Sequence, residues 1–426
     1  MLISLIVSFF VLLLIGMPIG FAIGLGSLFS LLLEGQTPLT VIVTRMFVAV
    51  DSYPIMAIPF FVLAGELMNT AGITRRLVNL ANALVAHMKG GLGQVNVVAS
   101  MLFSGISGSA AADTSAIGSM LIPAMLEDGY RKDFSVVITA TSSCIGPIIP
   151  PSILMVIFGS IAGVSIGGMF LGGIIPGLLI GFGLMFAVNI YSSRYHSGTK
   201  PRKSFKEILV AFKEASLALV TPAIILGGIV FGAFTPTEAG AVAVVYAFFL
   251  GVFVYKEIKL QNFLKALHNA TITTAICMLV LATASMFGWI LTREQFPTYL
   301  TSILLSISSD PTVIYLLIVA MLLFVGLFVE ILAATIILVP VLYPVALQFG
   351  FDPIHFGVVV VVALIIGTVT PPVGVLLFIT CSIGRTTIRE VTGILIPFIG
   401  VLVAVLLLIT LVPDLVTFIP NLILYR

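Results

Sequence analysis

Gly146-Pro147-Ile148-Ile149-Pro150-Pro151 and Gly367-Thr368-Val369-Thr370-Pro371-Pro372 decide the fold. Each interrupts an apolar stretch, Ser135 to Gly163 and Phe356 to Gly384, long enough to cross a bilayer. Proline has no amide hydrogen and its ring clashes with the preceding turn, so each stretch reads as a helix broken midway. The surroundings match too. Pro176 and Pro397 each follow the first proline of their pair by 26 residues, Gly163 and Gly384 by 13, and Gly172 and Gly393 by 22. Upstream, Asp113 precedes Pro123 by ten residues and Glu330 precedes Pro340 by ten. Coincidences in this number imply an internal duplication.

Composition gives the solvent. Of 426 residues, 60% are hydrophobic and 8% charged, whereas a soluble domain carries about 25% charged residues. A soluble globule cannot cover that much apolar surface, so the chain is read as an integral membrane protein. The apolar runs are continuous and do not alternate, which argues for helices over a β-barrel. A net charge of +2 offers no field for neutralising phosphates, which excludes nucleic acid as a partner. Cys144, Cys277 and Cys381 are odd in number and sit in apolar runs, so they read as reduced packing residues. They form no metal-ligand spacing with His87, His196, His268 or His355. The N-terminus has no basic region and no small-residue cleavage site, so Met1 onward reads as mature chain.

Leu2 to Leu33 divides at Gly16-Met17-Pro18 into two short segments, and Pro54 to Thr70 is a third. Met101 to Leu126, with its Ser-Gly-Ile-Ser-Gly-Ser core, is too small and polar for a lipid-facing span and reads as a re-entrant hairpin. The first half then crosses five times, so the second half is inverted. With the central linker inside, 16 of the 19 Lys and Arg residues become cytoplasmic, and only Arg45, Arg293 and Arg426 lie outside. Both termini come out periplasmic. The domain reading is a first repeat at 1–191, with a hairpin at about 95–126 and a broken helix at about 135–163. A cytoplasmic linker with an interfacial helix follows at 192–216, then a second repeat at 217–426, with a hairpin at about 312–348 and a broken helix at about 356–384. Three amphipathic stretches, around Leu77 to Met88, Phe205 to Phe212 and Leu260 to Leu267, read as helices lying in the membrane interface.

Inverted repeats with broken helices are the pattern of a secondary transporter. Unwound backbone frees carbonyls for a small hard cation and amides for a carboxylate. Ser104, Ser107, Ser109, Thr141, Ser142 and Gly146 in the first half, and Gly326, Thr335, Gly367, Thr368 and Thr370 in the second, are the candidate ligands for Na⁺. Neutral oxygens with at most one carboxylate suit Na⁺ better than a proton, and one site per half gives at least two. Small residues at such positions otherwise serve tight helix packing. Substrate candidates are Ser107, Asp113, Ser152 and Glu330. Asp113 alternatively caps a hairpin helix, and Ser152 alternatively caps the half-helix after the first proline pair. Trp289 reads as an interfacial anchor, and Arg45 and Arg293 as solvated charges or a docking point for a soluble partner.

The stretch beginning at Ser107 (S-G-S-A-A-A-D-T-S-A-I-G), Gly146 to Ser152, Gly367 to Gly374, Pro59 to Gly65 and Phe234 to Gly240 carry a resemblance over nearly the whole chain. The protein resembles the large membrane subunit of tripartite ATP-independent periplasmic (TRAP) transporters. The resemblance implies an all-α, elevator-type transporter of the bacterial inner membrane, with hairpins and broken helices moving against a scaffold. It also implies Na⁺ coupling, a small four-helix membrane subunit, and a periplasmic binding protein that delivers an organic acid. Overall similarity leans to the sialic-acid branch. The nearest rival is a self-sufficient Na⁺- or H⁺-coupled dicarboxylate or citrate carrier of related fold. An intramembrane enzyme using Asp113 and Glu330 as an acid pair is disfavoured, because the two approach from opposite leaflets without a His, Cys or metal cluster.

Overall fold

The structure, a computed structural model, describes residues 1–195 and 201–424. His196, Lys200 and Arg426, and the side chain of Arg194, lie outside the described residues. Among the described residues there are twenty α-helices and no strand. Six helices are long and apolar enough to cross a membrane, or eight if two bent pairs each count once.

In the first half, α1 (Leu2–Leu14) and α2 (Ile19–Glu34) divide where Gly16 takes a φ of +87° and Pro18 caps the next helix. α3 (Thr40–Val50) is absent from the sequence reading. It meets the following segment at 59°, through a 3-10 turn at Tyr53–Met56 that runs into α4 (Ala57–Thr70). α5 (Ile73–Val85) precedes the first hairpin, α6 (Gly91–Ser107) and α7 (Ala110–Glu127). The first broken helix is α8 (Lys132–Ser142), a 3-10 turn and α9 (Ile153–Ala162), and α10 (Ile166–Tyr195) follows.

The second half runs α11 (Phe205–Val230), α12 (Pro236–Phe249), α13 (Leu260–Arg293) and α14 (Phe296–Ile307), the last also unanticipated. The second hairpin is α15 (Pro311–Gly326) and α16 (Ile331–Gln348), and the second broken helix is α17 (Pro353–Gly367) and α18 (Val375–Gly384). α19 (Ile388–Leu411) and α20 (Asp414–Leu424) complete the chain.

The halves pack reciprocally. α2 lies on α13 and α12 on α4; α7 lies on α18 and α16 on α9; α8 lies on α19 and α17 on α10. Each contact has its counterpart, as a two-fold relation between duplicated halves requires. The half-helices before the breaks are innermost, and every residue of α17 from Ile354 to Gly367 is buried. A helix apolar on all sides has no surface to offer water, and this one is wrapped by protein.

Two of the amphipathic stretches open longer helices, and the third packs partly on protein. Phe205 to Phe212 opens a continuous 26-residue helix, capped by Ser204 and Glu207, with nothing to break it before Pro222. Leu260 to Leu267 likewise opens the 34-residue α13. Leu77 and Leu80 of α5 are buried, and α5 packs on α6 and α11. Protein covers the first part of its apolar face, and Leu84 further along stays exposed. Basic residues from the two halves meet at common ends: Arg75 and Arg76 both pair with Glu257, at 3.1 and 2.9 Å, and Lys132 donates to the carbonyl of Arg385. Arg45 and Arg293 both lie against Trp289, and the Met1 amino group is 3.7 Å from Glu294.

Candidate functional site

Where hairpins meet breaks, the chain uses glycine because backbones touch. A Cβ on Gly367 would lie 2.3 Å from the carbonyl carbon of Gly326, and one on Gly108, at φ +61°, would lie 2.4 Å from the Pro151 carbonyl oxygen. The first contact joins α15 to the second break, and the second joins the first hairpin tip to the first break. Both Pro150-Pro151 and Pro371-Pro372 peptides are cis.

Between these junctions lies a cavity of about 210 Å³. Its wall takes Ala110 and Ala111 from α7, Ile153 and Leu154 from α9, Ile331 and Leu332 from α16, and Val375 and Leu376 from α18. These are the first two residues of four helices, two from each half. The third amide of each of α7, α9 and α16 is already taken by its cap: Ser109 accepts from Ala112, Ser152 from Met155 and Glu330 from Ala333. In α18 the Leu376 amide donates to the Thr368 carbonyl. First-turn amides without an intrahelical partner therefore remain at the cavity, and the helix dipoles add positive potential there. Such an arrangement binds an anion. Thr273 and Cys277, one turn apart on α13, close the opposite wall.

The capping role that the sequence offers to Asp113 is filled by Ser109 in the first hairpin and by Glu330 in the second. Glu330 is the cap of α16 and also lines the cavity. Asp113 caps nothing, since Ser109 does that for α7, and it is absent from the cavity wall. It is fully buried, with one oxygen 2.5 Å from the Ser107 hydroxyl that donates to it and the other without a hydrogen-bond partner. The unpartnered oxygen faces the first break: a Cβ on Gly146 would sit 2.6 Å from it and 3.2 Å from the Ser143 carbonyl oxygen. A lone buried carboxylate is costly unless a cation shares the site. Asp113 and the unwound backbone at Gly146 make a hard-oxygen set that fits a small cation such as Na⁺. A carboxylate ligand would be repelled there.

The other candidates are placed as follows. Ser104, Thr141, Thr335, Thr368 and Thr370 donate to carbonyls three or four residues earlier, those of Met101, Val137, Ile331, Ile365 and Ile366. Of these, Thr368 also lines the cavity, as does Ser109. The second break has neutral oxygens only. Ser142 belongs to a network missed in the sequence: it donates to Asn96 at 3.1 Å, Ser100 lies 3.0 Å from it, and Asn96 donates to Thr139 at 2.6 Å. The signal was present, because Asn96, Ser100 and Ser104 form a polar stripe at four-residue spacing on an apolar helix. Ser152 takes the capping alternative: its hydroxyl caps α9 and donates to the Pro147 carbonyl at 2.5 Å, and it is fully buried behind Pro147 and Ile153 of the cavity wall. Ser152→Ala should cost about 1 kcal/mol of stability and leave uptake within about two-fold of wild type, as loss of a cap does. Thermal melting and uptake assays on the same preparation check this.

A family model described as "Tripartite ATP-independent periplasmic transporter, DctM component" matches residues 6–415. The chain is 45% identical over 386 residues to the sialic acid TRAP transporter large permease protein SiaM of Vibrio cholerae, covering 90% of each chain. It is 41% identical over 390 residues to the isethionate TRAP transporter permease protein DctMQ of Oleidesulfovibrio alaskensis, covering 91% of this chain and 61% of that one. Its fold resembles the crystal structure of the Alcanivorax borkumensis YdaH transporter, with a TM-score of 0.63 at 14% identity over 87% of each chain. The chain therefore belongs to the DctM component family of the tripartite ATP-independent periplasmic transporters, and is a multi-pass inner-membrane permease of that family.

Proposed function

We propose that the protein is the permease of a Na⁺-driven uptake system for a hydroxylated organic acid, N-acetylneuraminate first among them. The observation that carries this reading is the convergence of four helix N-termini, two from each half, on one cavity. The substrate carboxylate binds the free first-turn amides, and the second oxygen of Glu330 accepts a hydroxyl or amide hydrogen. A carboxylate in the wall disfavours a substrate with a second carboxylate, which supports a monoanion. Na⁺ binds between Asp113, Ser107 and the backbone at Gly146, and a second ion binds the neutral oxygens around Thr368. The ions fix each hairpin against its break and so shape the anion cavity. The halves are inverted repeats, with both termini periplasmic and the linker inside. The hairpins and broken helices slide as a unit along a scaffold that includes α13. A small membrane subunit and a periplasmic binding protein complete the system.

The test is uptake of radiolabelled N-acetylneuraminate into proteoliposomes under a Na⁺ gradient. The expected result is uptake with the chain, a small subunit and a matching binding protein together, and none with K⁺ in place of Na⁺. Uptake by the chain alone would make it a self-sufficient carrier instead.

A further inference from the structure

A second cavity, of about 460 Å³, has no part in that mechanism. It follows the same three helices as the central cavity. On α9 its wall holds Ser160 where the central one holds Leu154, on α13 Ser285 and Trp289 where the central one holds Cys277, and on α16 Ile336 where the central one holds Leu332. The step from Cys277 to Ser285 is about 12 Å of helix. The two cavities thus lie along the same three helices, and the second lies at the end where Arg45 and Arg293 meet.

Its lining includes Arg45 and no Asp or Glu. Arg45 is exposed; among the described residues its guanidinium has no ion pair or hydrogen bond, and its contact is the Trp289 ring at 5.4 Å. Arg293, 5.5 Å from the same ring, is by contrast paired with Glu34 at 2.9 Å. The lining hydroxyls of Ser52, Ser160 and Ser285 also make no hydrogen bond among the described residues, whereas Thr292 donates to the Gly288 carbonyl. Ser160 and Ser285 lie in apolar helices, where hydroxyls ordinarily bond back to their own helix. An unpaired guanidinium, three open hydroxyls and an indole together suit a carboxylate carried on a hydroxylated frame.

We propose that this cavity is an outer subsite, separate from the central one, in which Arg45 holds the carboxylate of a hydroxylated organic acid before the molecule moves along α13. The identity of the acid rests on the transport reading above; the subsite itself rests on its own lining.

Trp289 is the chain's one tryptophan, so its fluorescence reports on this cavity. The purified chain in lipid nanodiscs is titrated at fixed Na⁺ with sodium N-acetylneuraminate, and with neutral N-acetylmannosamine as control. The expected result is a saturable change with the acid and none with the neutral sugar. Arg45→Ala should weaken the apparent affinity at least ten-fold, Arg45→Lys should restore part of it, and Glu330→Gln in the central cavity should leave it in place. No response in the wild type, or a response lost equally in Glu330→Gln, would overturn the subsite. Arg45→Ala with unchanged titration but no uptake would make Arg45 a contact for a protein partner and overturn it likewise. Uptake by the same variants in proteoliposomes, with a small subunit and a matching binding protein, separates the two readings: a lost subsite leaves uptake without a fluorescence response, and a failed transport reading leaves a response without uptake.

Discussion

Replacing Gly367 with leucine abolishes uptake while the protein still reaches the membrane. The reason is backbone against backbone. A Cβ at this position would lie 2.3 to 2.5 Å from three main-chain atoms of Gly326, none of which can rotate away. To admit it, α15 must part from the second break, and overpacking of this kind costs roughly 1–3 kcal/mol even for one methylene. Apolar helices elsewhere, six of them long enough to span, still carry insertion. Geometry also ranks the milder variants. A Cβ on Gly326 would meet its nearest neighbour, the Leu364 carbonyl oxygen, at 3.1 Å, so Gly326→Ala should be the better tolerated and Gly367→Ala the worse. Uptake per molecule in the membrane fraction checks the order. Equal, wild-type uptake in all three variants would remove the hairpin–break junction from the mechanism.

Asp113→Asn should lower Na⁺-dependent uptake by about 100-fold, the loss of a charged ligand worth roughly 3 kcal/mol. The substitution keeps the shape and the contact with Ser107, and removes the charge. If Asp113 merely held Ser107 in place, asparagine would do the same, and the Na⁺ concentration for half-maximal uptake would stay put. A cation site loses its ligand and shifts that concentration upward. Gly146→Ala should act in the same direction, because its methyl would stand 2.6 Å from the unpartnered Asp113 oxygen, where the ion belongs.

The breaks and hairpin tips were legible in the sequence because their chemistry is local. Proline pairs, small residues and capping side chains specify an unwound or turned backbone wherever they occur. The half-helix α17 was legible too, since a run apolar on nearly every face already implies burial. What failed was decided by distant partners. Leu260 to Leu267 looks like a separate amphipathic helix, yet nothing in the chain ends it, and it runs on into α13. Asp113 and Glu330 sit at matched positions in sequence, but Ser109 supplies the cap in the first hairpin, while Glu330 itself supplies it in the second. Thr273 and Cys277 bear no local mark at all; they reach the cavity because α13 passes the four helix ends.

In the proposed mechanism, ions order the junctions between hairpins and breaks. The most direct measurement is the melting temperature of the purified chain in detergent, in NaCl and in KCl at equal ionic strength, with Asp113→Asn beside the wild type. Specific binding to the folded state stabilises it by about 2.7 kcal/mol at a hundred-fold excess over Kd. The predicted result is a saturable rise with Na⁺, little or none with K⁺, and a reduced rise in Asp113→Asn. Identical melting curves in the two salts would contradict the account.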